Sequence, residues 1–301
     1  MKRSSVIWFI FFVSGASLAL PVSAADGLAL MKVEPGARPA GMAGAFVSLA
    51  GDPYSSAYNP AGAVPTERWL ISLGHSRVWE NVRLETGYLA APLSEKTSLY
   101  AGIKFASVDE IESRQFPTLD PDYLFELKDV SVKIGLSRAW SDRLSLGLGI
   151  GYLFEKIDVY RGGAVNFDLG ALYRVDPHIT AGLSVANIGS SFRLSLRGED
   201  IESRDISLPT TYRLGGSYRY REYVGALDLV VVDDEFHVHT GAEWNAHETL
   251  TVRAGYMFNY DSKNFTAGAS IRHRNFTFDY GFVPYTNNLG TSHLISLTAS
   301  L

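Results

Sequence analysis

From residue 68 to the end of the chain, apolar and polar residues alternate in repeated stretches. In one stretch the apolar side chains occupy every second position, at Leu144, Leu146, Leu148, Ile150, Tyr152 and Phe154. The positions between them carry mainly glycine, serine and glutamate, with Leu153 as the exception. Because a β-strand points successive side chains to opposite faces of its sheet, this period of two predicts a strand with one apolar face.

Similar segments recur along the chain. Fourteen of them span roughly 67–76, 83–91, 97–107, 127–139, 143–160, 164–175, 178–188, 209–221, 222–233, 235–246, 248–259, 263–273, 275–283 and 291–301. Most are long enough to cross a bilayer as a tilted strand, which needs about 9–11 residues, whereas strands of soluble proteins are usually shorter. The pattern therefore predicts an all-β protein, a transmembrane antiparallel β-barrel of about 14 strands over residues 67–301.

The connections favour a membrane barrel over a soluble sandwich, which also alternates. The gaps at about 108–126 and 189–208 are long, whereas the gaps after even-numbered segments are short. Short turns on one side and longer loops on the other are typical of outer-membrane barrels. Aromatic residues also collect towards the short-turn side, where they would lie at the level of the lipid headgroups. They are Trp69, Trp140, Tyr173, Tyr220, Tyr223 and Trp244.

A membrane barrel must also close on itself. Backbone groups in hydrocarbon have no water to bond with, so no strand edge can stay unpaired. We therefore expect segment 291–301 to pair antiparallel with roughly 68–76.

The first 24 residues are typical of a secretory signal peptide. Lys2 and Arg3 precede an apolar run over 6–20, and small residues around Ala24 suit a signal peptidase. The run is short for a membrane-spanning helix, which needs about 20 apolar residues. We expect 1–24 to be removed on export; the alternative is a retained N-terminal anchor.

Residues 25–66 do not alternate and are rich in glycine and alanine. A compact segment of small residues packs closely against other backbone, so inside a barrel it would form a luminal plug. The alternating Gly147, Gly149 and Gly151 would then face the lumen and make room for it. The residues that define the predicted plug are Gly41, Gly44, Asp52, Asn59, Pro60 and Gly62. The alternative is a periplasmic N-terminal tail.

The run from Gly36 to Gly62, which ends in Asn59-Pro60-Ala61-Gly62, resembles the N-terminal signature of the FadL-like outer-membrane proteins. Within them it is most similar to the PorV/PorQ family. Further similar segments follow in order, namely SDRLSLG at 141–147, EKID at 155–158, FDLGALY at 167–173, NIG at 187–189, LP at 208–209, RLG at 213–215 and RAGY at 253–256. Leu301 departs from the terminal aromatic residue that outer-membrane barrels usually carry.

The resemblance implies a fourteen-stranded barrel in the bacterial outer membrane, with its N-terminal segment folded into the lumen. A PorV/PorQ-like protein would be a binding or attachment component of type IX-like protein secretion, with secretion proteins or exported cargo as partners beside the outer-membrane lipid. A FadL-like protein would instead be a channel for hydrophobic small molecules, such as long-chain fatty acids. Both functions are hypotheses, and a purely structural barrel is the third.

Composition excludes several other classes. The chain has no cysteine, which removes disulfides, thiolate metal sites and thiol catalysis. Its net charge of -5, without basic clusters, argues against nucleic acid as a partner. His237 and His239 share a strand face with Glu243, but no fourth ligand accompanies them, so neither a metal site nor another cofactor is expected. No catalytic constellation is visible, and an enzyme is not expected.

Charged residues are expected on the inner face of the barrel. They are Lys133, Asp168, Arg213, Asp228, Glu243, Arg253, Arg272 and Asp279. Their mixed signs favour a network of paired charges inside the lumen, and the alternative is a polar path for a ligand.

Two loops carry further expectations. The loop at 108–126 contains Phe116, Tyr123 and Phe125, which should pack over the barrel mouth or meet a partner. The loop at 189–208 is rich in charges and should form a solvated rim.

Overall fold

The computed structural model describes residues 28–64, 67–78, 82–196 and 202–301. The predicted signal peptide, 1–24, lies outside these residues. None of the helices in the described ranges is long and apolar enough to cross a membrane.

The described strands form one closed antiparallel barrel in which neighbours in the chain are neighbours in the sheet. The strands are β1 (Leu70–Val78), β2 (Val82–Ser94), β3 (Thr97–Ser113), β4 (Tyr123–Ala139), β5 (Leu144–Ile157), β6 (Tyr160–Arg174), β7 (Ile179–Gly189), β8 (Thr211–Tyr220), β9 (Tyr223–Val232), β10 (Glu235–His247), β11 (Leu250–Phe258), β12 (Phe265–His273), β13 (Phe276–Pro284) and β14 (Thr291–Ser300). The prediction of a closed barrel of about 14 strands is confirmed.

The barrel closes where the last strand meets the first. β1 and β14 pair antiparallel without a register shift, and the hydroxyl oxygens of Ser72 and Thr298 lie 2.8 Å apart across the seam. Just beyond the strands, the backbones of Trp69 and Leu301 exchange hydrogen bonds in both directions. The predicted pairing of 291–301 with 68–76 is therefore confirmed.

Two hairpins differ from the sequence prediction. β3 and β4 extend to Ser113 and from Tyr123, well past the predicted ends at 107 and 127. The turn between β5 and β6 falls at 158–159, not at 161–163, the gap between the predicted segments 143–160 and 164–175. Asp158 adopts a φ of 56°, a left-handed conformation that aspartate tolerates better than most residues. Gly162 and Gly163 are therefore free to lie within β6.

Residues 28–64, which we call the N-terminal segment, lie within the barrel. The segment contains two short helices, α1 (Ala37–Gly41) and α2 (Ser55–Tyr58), and two 3-10 turns, Ala29–Lys32 and Pro60–Gly62. α1 packs against β12 and β13, and the second 3-10 turn packs against β5 and β6. Between 31 and 64, only Gly51 is exposed.

The outward face of the barrel is apolar. Leu148, Leu183 and Leu214 are 58%, 54% and 54% exposed, and many other outward strand positions carry similar side chains. The six aromatic residues predicted near the short turns are all exposed. Large exposed apolar areas mark surfaces that meet something other than water.

The barrel seam gives a first test. Because the chain has no cysteine, Ser72→Cys with Thr298→Cys should form one disulfide across the seam under mild oxidation. The matched control is Ser72→Cys with Thr277→Cys, since Thr277 faces Thr298 from the strand beyond. Faster gel migration without reductant should appear only for the first pair. An uncross-linked first pair would contradict the closure.

Candidate functional site

The N-terminal segment touches the barrel wall backbone to backbone. A Cβ added to Gly147 would lie 2.2 Å from the backbone N of Ala61, and one added to Gly241 would lie 2.5 Å from the carbonyl O of Met42. Real side chains do not come this close, so only glycine fits at these wall positions. Similar close approaches to the segment occur at Gly170, Gly182, Gly255 and Gly281.

Side chains of the wall bond the backbone of the segment. The Asp228 carboxylate accepts hydrogen bonds from the amides of Phe46 and Val47, at 2.7 and 2.8 Å. On the opposite side, the Ser296 hydroxyl accepts one from the Ala37 amide at 2.9 Å. Buried backbone groups need such partners, because unpaired ones cost free energy. The wall thus supplies hydrogen-bond partners that water would otherwise supply.

A group of paired charges joins the segment to the wall near the short-turn end. The guanidinium of Arg38 forms two bonds of 2.8 Å with Glu243 and one of 2.9 Å with Asp52. Arg253 lies on the other side of Glu243 at 3.1 Å and contacts Asp279 at 3.0 Å. Each of these two guanidiniums and three carboxylates therefore has a partner of opposite charge, as the interpretation of a paired network expects.

Asn59 connects three parts of the structure. Its amide nitrogen donates to the carbonyls of Val47 and Ala171, at 2.8 and 3.0 Å. Its Oδ1 accepts from the amide of Ala61 and caps the 3-10 turn that begins at Pro60. The Asn-Pro-Ala-Gly sequence is therefore a turn fixed to β6.

The other residues of the predicted plug motif lie in the same segment. Gly41 faces the Arg253 side chain, and Gly62 faces Ser55. Gly44 has a φ of +70°, which suits glycine. Asp52 accepts from the amide of Tyr54 as well as from Arg38.

The structure places seven of the eight predicted lumen residues on the inner face. Glu243, Arg253 and Asp279 form the group around Arg38, and Lys133 pairs with Asp168 at 2.5 Å. The remaining two are Asp228 and Arg213, of which the second lines a cavity. Arg272 has the same strand parity but lies exposed at the short-turn end.

This cavity lies between the N-terminal segment and the wall, towards the long-loop end. Its volume is about 260 Å³. The lining combines aromatic rings with basic groups, and it includes Tyr58, Tyr88, Tyr100, Lys104, Lys133 and Arg213. Sequence reasoning found the wall cations from strand parity, but it missed Tyr58 because no strand pattern covers the segment.

The beginning of the segment is held beside the cavity by charge contacts. The Lys104 ammonium donates to the carbonyls of Met31 and Val33. Glu34 pairs with Lys263 at 3.3 Å. Burial alone raises the pKa of the Glu34 carboxyl, but the Lys263 ammonium, a backbone hydrogen bond and the Lys104 charge together more than offset this, so the pKa lies below its ordinary value.

The β3–β4 hairpin at the mouth of the barrel extends beyond the end of β2. Its Phe116 and Tyr123 are 72% and 52% exposed, and the ring of Phe125 lies 6.2 Å from that of Tyr123 in a tilted arrangement. The contact with a partner stays a prediction. The loop predicted as a charged rim carries Phe192 and Leu208, which pack inward against residues that include Leu28 and Leu153. The many charged residues of this loop predicted a solvated rim, so the inward packing of its apolar residues was not predicted.

Among the described residues, no group of three His, Cys, Asp or Glu side chains could hold a metal. His237 and His239 are both buried and already engaged. The first contacts the carbonyl of Asn259 at 2.8 Å, and the second contacts the hydroxyl of Tyr260 at 3.0 Å.

Comparison with solved structures shows which known barrels have this fold. The toluene transporter TbuX of Ralstonia pickettii superposes with a TM-score of 0.68, at 14% identity, over 91% of this chain and 99% of its own. The toluene transporter TodX of Pseudomonas putida gives 0.62, at 11% identity, over 87% and 96%. A FadL homologue of Pseudomonas aeruginosa gives 0.59, at 13% identity, over 88% and 97%. The chain has the fold of these proteins.

The likeness is one of fold, since the identities are low. No protein-family model matches the chain, and no curated protein matches it by sequence. The resemblance to FadL-like barrels is thus supported by the fold, and the finer resemblance to PorV/PorQ is not.

The glycine contacts give a second test. In Gly241→Ala the new methyl group meets the carbonyl of Met42, so the barrel should lose stability by about 1–3 kcal/mol, as overpacked interiors do. Gly225→Ala on the neighbouring strand is the matched control, because nothing lies within 4 Å of its added Cβ. Thermal unfolding in detergent should show a lower midpoint for the first variant only. Equal unfolding midpoints for the two variants would show that the N-terminal segment does not pack against the wall at Gly241.

The Glu34–Lys263 pair predicts a pH dependence. Because folding lowers the pKa of Glu34, the ionised carboxylate stabilises the folded state. This contribution is fully present above the ordinary carboxyl pKa and is lost as pH falls through the lower pKa of the folded state. Between about pH 7 and about pH 3, the wild type should therefore lose more thermal stability than Glu34→Gln. Glu222→Gln, which changes an exposed carboxylate, should behave as the wild type. An equal decline for all three would exclude this contribution.

Proposed function

We propose that this protein is a channel of the bacterial outer membrane that admits small hydrophobic or amphipathic molecules. Two of the solved structures with its fold are named as toluene transporters. Fold alone does not specify function, because one fold hosts many. The observation that carries the proposal is the cavity of about 260 Å³ beside the N-terminal segment, which is of ligand size.

The outer surface supports the location. A closed barrel satisfies its backbone hydrogen bonds within the sheet, which lipid requires. Its exposed apolar positions would be covered by acyl chains, and the exposed aromatic residues near the short turns would lie at one headgroup layer. With the short turns on the periplasmic side, the long loops and the cavity lie towards the cell exterior.

We propose further that the N-terminal segment is a plug. Its backbone fills the space inside the wall and leaves the cavity on the long-loop side of it. A ligand must then pass beside the segment or through the wall. The pairing of β7 with β8 ends at Ala186 and Thr211, although β7 continues to Gly189, so the last residues of β7 have no strand partner on this side.

The secretion-associated role remains a hypothesis from the sequence resemblance. Its one structural support is the projecting β3–β4 hairpin, where Leu119 is 99% exposed beside Phe116. The solved structures of the same fold that carry a functional name are transporters or channels, which favours transport.

Uptake by whole cells tests the channel. Cells with a lipopolysaccharide outer membrane should accumulate labelled toluene faster when they express the chain. Ala186→Trp, which fills the cavity with an indole, should reduce this gain severalfold, whereas Gly225→Ala should not. Uptake that is equal with and without the protein would contradict the proposal.

A further inference from the structure

One cation in the cavity has no acidic partner among the described residues. The guanidinium of Arg213 lies 5.0 Å above the ring of Tyr58, and its buried Nη1 has no hydrogen-bond partner. Asp228, on the neighbouring strand, bonds the backbone of Phe46 and Val47 and forms no ion pair with Arg213, although the two opposite charges attract each other at longer range. The Arg213 side chain is half-buried, but its Nη1 is a buried donor without a partner, so this donor can bond an anion that binds there.

The other basic side chains of the cavity are engaged. Lys133 pairs with Asp168, Lys263 pairs with Glu34, and Lys104 donates to two carbonyls of the N-terminal segment. Lys32 likewise pairs with Asp233, and Glu235 also lines the cavity, so these charges largely offset one another. Arg213 is therefore the group left to bind a ligand directly.

A neutral donor stands beside Arg213. Tyr58 lines the cavity and is 4% exposed, and its hydroxyl has no hydrogen-bond partner among the described residues. Burial raises the pKa of Tyr58 well above its ordinary value, so the hydroxyl keeps its proton. A guanidinium and a phenol together offer N–H and O–H donors, which match the oxygens of a carboxylate.

The size of the cavity limits the rest of the ligand. A cavity of roughly 150 Å³ holds a benzene molecule. The present volume of about 260 Å³ therefore admits one substituted ring or a short branched chain. Tyr88, Leu153 and Val230 supply the apolar part of the lining.

The short-turn end carries a second group of cations. A vestibule of about 570 Å³ there is lined by Arg143, Arg174 and Arg219 together with Lys96, Glu95 and Asp142, and none of the three arginines forms an ion pair with the residues that the structure describes. Cations thus outnumber carboxylates in this lining, which favours an anion over a neutral molecule.

We propose that the cavity binds a small organic carboxylate with a ring-sized apolar body. Arg213 and Tyr58 hold the carboxylate, and the three arginines of the vestibule attract it on the periplasmic side. This inference rests on the proposed channel function and names its class of substrate, which differs from the neutral hydrocarbon in the names of TbuX and TodX.

Calorimetry on the purified full chain in detergent tests the inference with benzoate and its neutral analogue benzamide. Benzoate should bind at least about tenfold more tightly, since charge-assisted hydrogen bonds are lost with benzamide. Arg213→Gln should lower benzoate affinity by about the same factor and leave benzamide unchanged. Tyr58→Phe should weaken benzoate severalfold. Arg193→Gln, at an exposed arginine of the long-loop end, is the matched control and should bind as the wild type.

Equal affinities of the wild type for benzoate and benzamide would overturn the inference, and this comparison needs no variant. An unchanged benzoate affinity in Arg213→Gln would overturn it as well. If Arg213→Gln does not fold, Arg213→Lys, which keeps the charge, should retain part of the preference for benzoate. Toluene uptake without benzoate binding would refute the carboxylate and leave the channel standing, whereas failure of both would refute the proposed function itself.

Discussion

The contact between the N-terminal segment and the inner wall determines most of this structure. At Gly147 and Gly241 the two backbones approach so closely that one methyl group would collide. Close approach leaves no water between them, so Asp228, Ser296 and other wall side chains must bond the backbone of the segment. A barrel of this size would otherwise enclose a wide polar lumen. Here it encloses packed chain and a cavity that is limited in size.

The same contact separates two kinds of charged residue. Arg38, Glu243 and Arg253 lie where the segment meets the wall, and they neutralise one another. Arg213 lies where the segment leaves a gap, and it keeps an unpaired donor beside Tyr58. The paired charges and the proposed ligand-binding charge therefore lie on the same inner face of the barrel. They differ in whether the N-terminal segment packs against them or leaves a cavity beside them.

The alternation of residues was sufficient to predict the barrel. A period of two assigns each side chain to the inner or the outer face, and this assignment does not depend on which strand pairs with which. It also placed Asp168 and Arg213 inward. It could not show that Glu34 meets Lys263, 229 residues away, since the segment has no period that fixes its side chains. The inward packing of Phe192 could not be predicted because charged residues surround it in the sequence, and the β5–β6 turn falls at Asp158 instead of the predicted 161–163.

We propose that residues 28–64 fill the lumen of a membrane barrel. Ion conductance of the full chain, measured across a planar lipid bilayer, tests this most directly. We expect insertion with very small steady conductance, because the proposed plug would block the path along the barrel axis and leave only the cavity and the vestibule. A large, steady conductance like that of an open pore would contradict it.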